Sequence, residues 1–270
     1  MKDYGLVSII TPSYNCAKFI RHTIRSVQNQ TYQNWELLIT DDCSKDNSCE
    51  VIESFAKQDN RIKLFKSLEN KGAGEARNNS IKEAQGRFVA FLDGDDMWLP
   101  QKLERQLDFM VRNNIEISMT RTIEINQNGE KTGIYMGKKR VKYFQNFVMN
   151  CLDTSAVVYD TKRIGKFYMK KIRKRQDWLL WNAILKKTGS AYCFPEFLAV
   201  YVKNDDSLSS NKFSLLKYHT NVYMEQGLSK FSSVIMNYFV SLPLFVCKRW
   251  YNKIAFKYYR KAINEIVIMR

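Results

Sequence analysis

Phe88-Val89-Ala90-Phe91-Leu92-Asp93-Gly94-Asp95-Asp96 decides how this chain is read. Five consecutive apolar residues are strand length. Without polar alternation they suit a strand buried on both faces, as in a parallel sheet covered by helices. Three carboxylates follow in four positions. Like charges that close together repel, and a fold tolerates them best where something positive sits among them. Carboxylate oxygens suit Mg²⁺ or Mn²⁺, ions that are typically held by one or two carboxylates plus substrate phosphates. The plainer alternative is an acidic turn capping the next helix.

Upstream, the same alternation repeats. Val7 to Ile10 is a β-branched strand ending at Thr11-Pro12-Ser13-Tyr14-Asn15, and Phe19, Ile20, Ile24 and Val27 recur at helical spacing. Glu36 to Thr40 is a strand running into Asp41-Asp42. Val51, Ile52, Phe55 and Ala56 form a helical face, Ile62 to Phe65 is strand-like, and Gly72-Ala73-Gly74 opens a helix over Glu75 to Ala84. Strands alternating with helices imply an α/β fold with a mostly parallel sheet. Ligands of such sheets sit at the carboxyl ends of the strands, so Thr11 to Asn15, Asp41-Asp42 and Asp93 to Asp96 are expected to converge on one crevice. Downstream, Glu116 to Ile125 and Lys131 to Met136 read as strands around Asn128-Gly129. Trp178, Trp181 and Leu185 share a helix face.

Three further places carry candidate chemistry. Asp42 can accept a hydrogen bond from a nucleobase or a ribose hydroxyl, or it can cap a helix beside Ser44 and Asp46. Arg77 follows two glycines; it is either a phosphate partner or a surface arginine. Because Arg77 occupies the third glycine position, the Gly-x-Gly-x-x-Gly dinucleotide pattern is broken. Asp177 follows the basic run Lys170, Lys171, Arg173, Lys174, Arg175, and is either a helix cap or a base beside bound phosphates.

Composition sets the remaining bounds. The 270 residues are 45% hydrophobic, enough to bury a core rather than remain disordered. Lys+Arg 43 against Asp+Glu 27 gives +16, which favours anionic partners. With two histidines and no Cys-x-x-Cys pair, no zinc site is expected and the six cysteines read as free thiols. Leu6 to Ile10 is too short an apolar stretch for a signal peptide. The longest apolar tract, Val234 to Cys247, is interrupted by Asn237, Ser241 and Pro243 and falls short of the roughly 20 residues of a bilayer span.

Taken in order, Val7 to Asn15, Ser26 to Tyr32, Glu36 to Asp46, Asn70 to Asn79 and Phe91 to Asp96 resemble the family 2 inverting glycosyltransferases of the GT-A fold, over about residues 5 to 210. The resemblance implies a Rossmann-like nucleotide-binding sheet flanked by helices, with a C-terminal helical extension. It divides the chain into a nucleotide-sugar half (1–105), an acceptor half (106–211) and a basic amphipathic tail (212–270). By position it also implies roles. Thr11 and Pro12 line the nucleotide pocket and Asp42 reads uracil. Arg77 lies near the diphosphate, Asp93 faces ribose and metal, and Asp95 ligates Mn²⁺ or Mg²⁺. Asp177 is the general base. Gln176 stands where the family has Glu. Tyr201 to Ser209 lacks the family's Arg and His, with Lys203 or Asn204 as the available substitutes.

The implied activity is transfer of a hexose or N-acetylhexosamine from a UDP-sugar to a saccharide, with inversion. The tail mixes Phe, Tyr and Trp with Lys248, Arg249, Lys253 and Lys257, as helices of a membrane interface do. The expected acceptor is therefore polyprenyl-diphosphate-linked, as in O-antigen or capsule synthesis. The expected place is the cytoplasmic face of a bacterial membrane, held by anionic lipid and without nucleic acid. Two rivals remain on residues alone. A Mg²⁺-dependent phosphohydrolase would use Asp93 as nucleophile, and a basic nucleic-acid-binding module would leave the carboxylates unexplained.

Overall fold

The computed structural model describes residues 2–203 and 212–268. Its strands are β1 (Val7–Ser13), β2 (Trp35–Asp41), β3 (Ile62–Lys66), β4 (Phe88–Phe91), β5 (Met97–Trp98), β6 (Ile117–Ile125), β7 (Lys131–Tyr135), β8 (Arg140–Lys142), β9 (Val158–Asp160) and β10 (Ser190–Val202). Helices α1 (Ile20–Gln28), α2 (Ser48–Ala56), α3 (Ala73–Glu83), α4 (Lys102–Arg112), α5 (Tyr143–Val148), α6 (Thr161–Ile164) and α7 (Gln176–Thr188) alternate with them. The C-terminal part holds α8 (Lys212–Met224), α9 (Lys230–Ile235) and α10 (Leu242–Asn264). The main sheet runs β3-β2-β1-β4-β9-β6-β10-β5. Strands β1 to β4 are mutually parallel, β9 is antiparallel to both neighbours, and β6 and β10 are parallel.

Register explains the convergence. Ser13 pairs with Asp41, and Ile10 pairs with Phe91. Parallel strands in that register bring the ends of β1, β2 and β4 to one edge of the sheet, as the sequence anticipates. Val7, Ile9, Ile10, Leu37, Leu38, Phe88 and Phe91 are fully buried, which is why these strands read as continuous apolar runs. Trp181 of α7 packs edge-on against Phe91 of β4, with ring centroids 5.1 Å apart. This contact seats the start of α7 beside the acidic turn. The Asn128-Gly129 turn closes β6 onto β7, with Gly129 at φ 87°.

The apolar tract of the tail differs from the sequence reading, which stopped it at Cys247. α9, a π-helical stretch Met236–Ser241 and α10 join into one helix, Lys230–Asn264, long and apolar enough by length and composition to cross a membrane. Pro243 does not break it because it sits in the first turn of α10, where the preceding wide turn absorbs its missing N–H. The helix is inverted in polarity. Ser233, Asn237 and Ser241 are buried, whereas Phe231, Phe239, Trp250 and Tyr258 are at least two-thirds exposed. Farther along, Ala255 and Ile263 lie in a second core cluster with Ile123, Ile125, Ile134 and Val200.

Lys102, at the start of α4, is fully buried with no hydrogen-bond partner for Nζ among the described residues, and Nζ lies 3.7 Å from the Trp98 ring centroid. Burial draws it well below the ordinary lysine range, with nearby Asp153 opposing. The ring face returns only about 1–2 kcal/mol to a cation, less than the hydration lost. The unfolded lysine keeps its proton up to about pH 10.4, so between its lowered folded-state value and that pH the unfolded chain binds more protons than the folded one. Stability therefore rises with pH across this window, by up to about 1.4 kcal/mol per pH unit. Lys102→Met should raise the melting temperature at pH 6–7, and the gain should shrink toward pH 10. Thermal melts at both pH values check this; a variant less stable than wild type at pH 6 contradicts it.

Candidate active site

Four loops and two helix starts build the site. Thr11 is fully buried and its hydroxyl finds no partner among the described residues, while Pro12 is half-buried beside the acidic turn. A Cβ on Gly94 would come 2.9 Å from the Pro12 carbonyl, so only glycine lets the Asp93–Asp96 turn lie against the end of β1. Thr23 Oγ1 also donates to the Gly94 carbonyl at 3.0 Å.

Asp41 and Asp42 divide their labour. Asp41 accepts from the Ser13 hydroxyl and from both backbone and side chain of Ser44. Asp42 is 2% exposed. Its two oxygens accept the Lys71 and Gly72 amides at 2.9 and 2.7 Å, so it holds the loop that leads into α3. A base donor reaching Asp42 must therefore share an oxygen that a backbone amide already uses.

Arg77 is a buried partner rather than a surface arginine. It pairs with Asp93, the side chains being 7% and 31% exposed. Ser155 ties the acidic turn from the other side: its Oγ accepts the Asp93 amide at 3.1 Å and donates to Asp96. Asp96 also accepts the Val202 amide at 3.1 Å. Burial, and then the charges of Asp95 and Asp93, push the Asp96 carboxyl well above the ordinary range. Asp96 is thus a structural clasp between the turn and β10.

Asp95 is half-exposed. Asp93 is engaged by Arg77 and Asp96 is buried, and no group of three His, Cys, Asp or Glu side chains among the described residues is arranged to hold a metal. That set suits a hard cation that brings its own phosphate ligands, and does not suit an all-protein cage. Unspent polar atoms gather where α3 meets α7. A Cβ on Gly74 would lie 3.0 Å from Gln176 Cγ, and the Nε groups of Arg77 and Arg175 are buried without partners among the described residues. Two unspent guanidinium donors suit an anion of phosphate type.

Asp177 stands in the first turn of α7 and is not its cap; that place belongs to Arg175, at φ 66°. Asp177 Oδ2 accepts from Asn150 Nδ2 at 3.0 Å and from Thr154 Oγ1 at 3.3 Å. No donor to Oδ1 is found among the described residues, which leaves that oxygen for a proton. Gln176 is buried behind it. Lys203 is exposed and its amide bonds the Ile125 carbonyl, while Asn204 and the rest of the loop to Ser209 lie outside the described residues.

Asn150, Thr154 and Ser155 were not singled out by sequence. They lie on the connection between α5 and β9, a short stretch of mixed polar and apolar residues without motif or period. Asp153 on the same connection accepts from Thr122, and burial raises its carboxyl above the ordinary range. A surface hollow lined by Tyr4, Arg105, Asp108 and Phe194 shares no residue with this site.

Residues 8–181 match the family described as Glycosyl transferase family 2. Over 245 residues the chain is 39% identical to an Escherichia coli protein, the UDP-Glc:alpha-D-GlcNAc-diphosphoundecaprenol beta-1,3-glucosyltransferase WfgD; the match covers 89% of this chain and 94% of that protein. Over 224 residues it is 39% identical to the putative teichuronic acid biosynthesis glycosyltransferase TuaG of Bacillus subtilis, covering 82% and 88%. Among solved structures, the mannosyltransferase PcManGT from Pyrobaculum calidifontis in complex with GDP-Man and Mn²⁺ superposes with a TM-score of 0.62 at 15% identity, covering 97% of this chain and 76% of that one. Such low identity carries the fold alone. The two family-level matches carry more, and with the strand-end carboxylates in place the chain belongs to glycosyl transferase family 2 and is a glycosyltransferase.

Proposed function

We propose that this enzyme moves a hexose or N-acetylhexosamine from a UDP-sugar onto a saccharide carried by a polyprenyl diphosphate, inverting the anomeric carbon, in the assembly of O-antigen, capsule or a related surface polysaccharide. The observation that carries the reading is the meeting of Arg77, Asp93, Asp95 and Asp177 at one edge of the sheet. The likeness to WfgD, with its UDP-Glc donor and lipid-linked acceptor, supports the substrate class. Residues 1–105 form the nucleotide-sugar half and 106–211 the acceptor half.

The nucleotide lies over the ends of β1 and β2, against Thr11, Pro12 and Asp42. Arg77, with Nε unspent, faces the diphosphate as it departs and gains charge. Asp93, fixed by Arg77 and Ser155, faces the ribose. Asp95, with the diphosphate, would hold Mn²⁺ or Mg²⁺, which supplies positive charge to the leaving group. Asp177, held through Oδ2, takes the acceptor hydroxyl's proton at Oδ1 as that oxygen attacks from the face opposite the diphosphate. A single displacement inverts the carbon and needs no enzyme nucleophile. Phosphohydrolase chemistry through Asp93 is disfavoured because Arg77 already occupies its carboxylate.

The inverted C-terminal helix supports residence at the cytoplasmic face of the membrane. Phe231, Phe239, Trp250 and Tyr258 turn outward beside exposed Arg249, Lys253 and Lys257, the composition of a helix lying in an anionic lipid interface. An apolar patch of this kind on a soluble face is otherwise uncommon.

UDP release across a panel of UDP-sugars with Mn²⁺, with and without N-acetylglucosamine α-linked to a diphosphate-alkyl chain, tests the reading. Release with one donor and dependence on that acceptor are expected. No release from any UDP-sugar, together with no calorimetric binding of UDP, would overturn it.

A further inference from the structure

The helix that presents aromatic side chains outward also reaches inward to the catalytic loop. Lys248 of α10 is half-buried, 98 positions in sequence from the residue it contacts. Its Nζ donates to the Asn150 carbonyl at 3.0 Å and lies 4.2 Å from the Tyr135 ring centroid. Tyr135 in turn donates to the Cys151 carbonyl, so two consecutive carbonyls of one loop are held from β7 and α10. The Asn150 side chain is oriented as well: Oδ1 accepts the Leu152 amide at 3.3 Å, which turns Nδ2 toward Asp177 Oδ2 at 3.0 Å. The chain of contacts runs from α10 through Lys248 and Asn150 to Asp177.

α10 is itself fixed to the sheet at two places on the C-terminal side of this contact. Asn252 Oδ1 accepts the Met136 amide at 3.4 Å. Lys131 Nζ donates to the Ile263 and Ile266 carbonyls at 2.6 and 2.7 Å, satisfying the helix terminus with a cation. Asn150, by contrast, lies outside any regular element, on the connection between α5 and β9 ahead of its one short 3₁₀ turn, Thr154–Ala156. Its backbone depends on side-chain donors to stay in place.

We propose that Lys248 is a positioning residue that fixes Asn150, and through it the orientation of Asp177, so that the C-terminal helix is part of the catalytic apparatus as well as a surface-docking element. This rests on the assignment of Asp177 as the base. Loss of the Nζ bond frees the Asn150 carbonyl, and the base then samples orientations that do not face the acceptor. Small misplacements of a catalytic group cost up to about a hundredfold in rate.

The test measures UDP release by the full-length protein from UDP-glucose. The acceptor is N-acetylglucosamine α-linked to diphosphate on a short, water-soluble alkyl chain, so membrane docking does not contribute. Lys248→Met should lower kcat about tenfold to a hundredfold, with KM for UDP-glucose, UDP affinity and melting temperature near wild type. Lys248→Arg, which keeps a donor, should recover most of kcat. Arg260→Met, an exposed change on the same helix, should match wild type. Asn150→Ala should reproduce the loss, and in that background Lys248→Met should add little, because both act through the same amide.

Unchanged kcat in Lys248→Met, fully additive losses in the double variant, or equal loss in Lys248→Arg overturns the proposal. Should Lys248→Met not fold, Asn150→Ala carries the test alone, and wild-type kcat there overturns it. Asp177→Asn measured alongside separates the two readings. Full activity in Asp177→Asn ends the base assignment and this inference with it; an inactive Asp177→Asn beside a fully active Lys248→Met ends this inference alone.

Discussion

Asp177→Asn is expected to reduce sugar transfer by about 10²- to 10⁴-fold, the usual contribution of a positioned general base, while UDP still binds with wild-type affinity. The change is isosteric, and its amide oxygen can still accept from Asn150 and Thr154, so the first turn of α7 should keep its place. The substitution removes only the ability to take a proton. UDP affinity should survive because the nucleotide is assigned to Thr11, Pro12, Asp42 and Arg77, on β1, β2 and α3. UDP release and calorimetric UDP binding on the same preparation check both halves. Substantial residual transfer would place the base elsewhere. Loss of UDP binding together with transfer would show that the substitution disturbs the site as a whole.

Ending the chain at Leu228 is expected to cost the fold, with the supposed anchor lost as one consequence among several. Ala255 and Ile263 of α10 share a core cluster with Ile123, Ile125, Ile134, Met136, Val200 and Val202, on strands β6, β7 and β10 and the residue after β7. Each aliphatic side chain returned to water costs roughly 1.5–3 kcal/mol. Uncovering three of them rivals the entire net stability of a typical domain, about 5–15 kcal/mol. For a domain of this size such a loss lowers the melting temperature by about 10–35 °C. The truncated protein should therefore melt much lower or aggregate, which scanning calorimetry and size-exclusion chromatography detect. A truncated protein that stays monomeric with an unchanged melting temperature would show that α10 only rests on the sheet. Substituting Phe239 and Trp250 by Ser separates the two roles: these side chains face outward, so vesicle binding should fall while the melting temperature holds.

Much of the fold over residues 1–105 was legible because its information is local. Phe88 to Leu92 is apolar at every position, as suits a strand buried on both faces; the strands leading to Thr11 and Asp41 are equally buried and mostly apolar, with Ser8 and Glu36 bonded to each other as the polar exceptions. Once three strands are read as parallel neighbours, their loops must meet at one edge. Thr11 and Pro12 at the end of β1, Asp42, Asp93 and Asp95 in the following loops, and Arg77 and Asp177 in the opening turns of α3 and α7 lie on elements that the sheet brings together. The roles of individual carboxylates were less legible. Asp42 is spent on the amides of Lys71 and Gly72, and Asp96 is a buried clasp, although in sequence both look like equal members of acidic clusters.

By itself, the sequence determined the alternation of strands and helices, the strand-end carboxylates and the order of motifs that marks the family. These depend on periodicity and on residue types within a few positions of one another. Only the tertiary structure decided that Asn150, Thr154 and Ser155 link the acidic turn to Asp177, and that Lys248 reaches them from the far end of the chain. It also decided that the tail helix buries Ser233, Asn237 and Ser241 while showing its aromatic residues outward. A hydrogen bond spanning 98 residues leaves no periodic trace, because its geometry is set by the packing of α10 across β7 and by no local preference of the residues that make it.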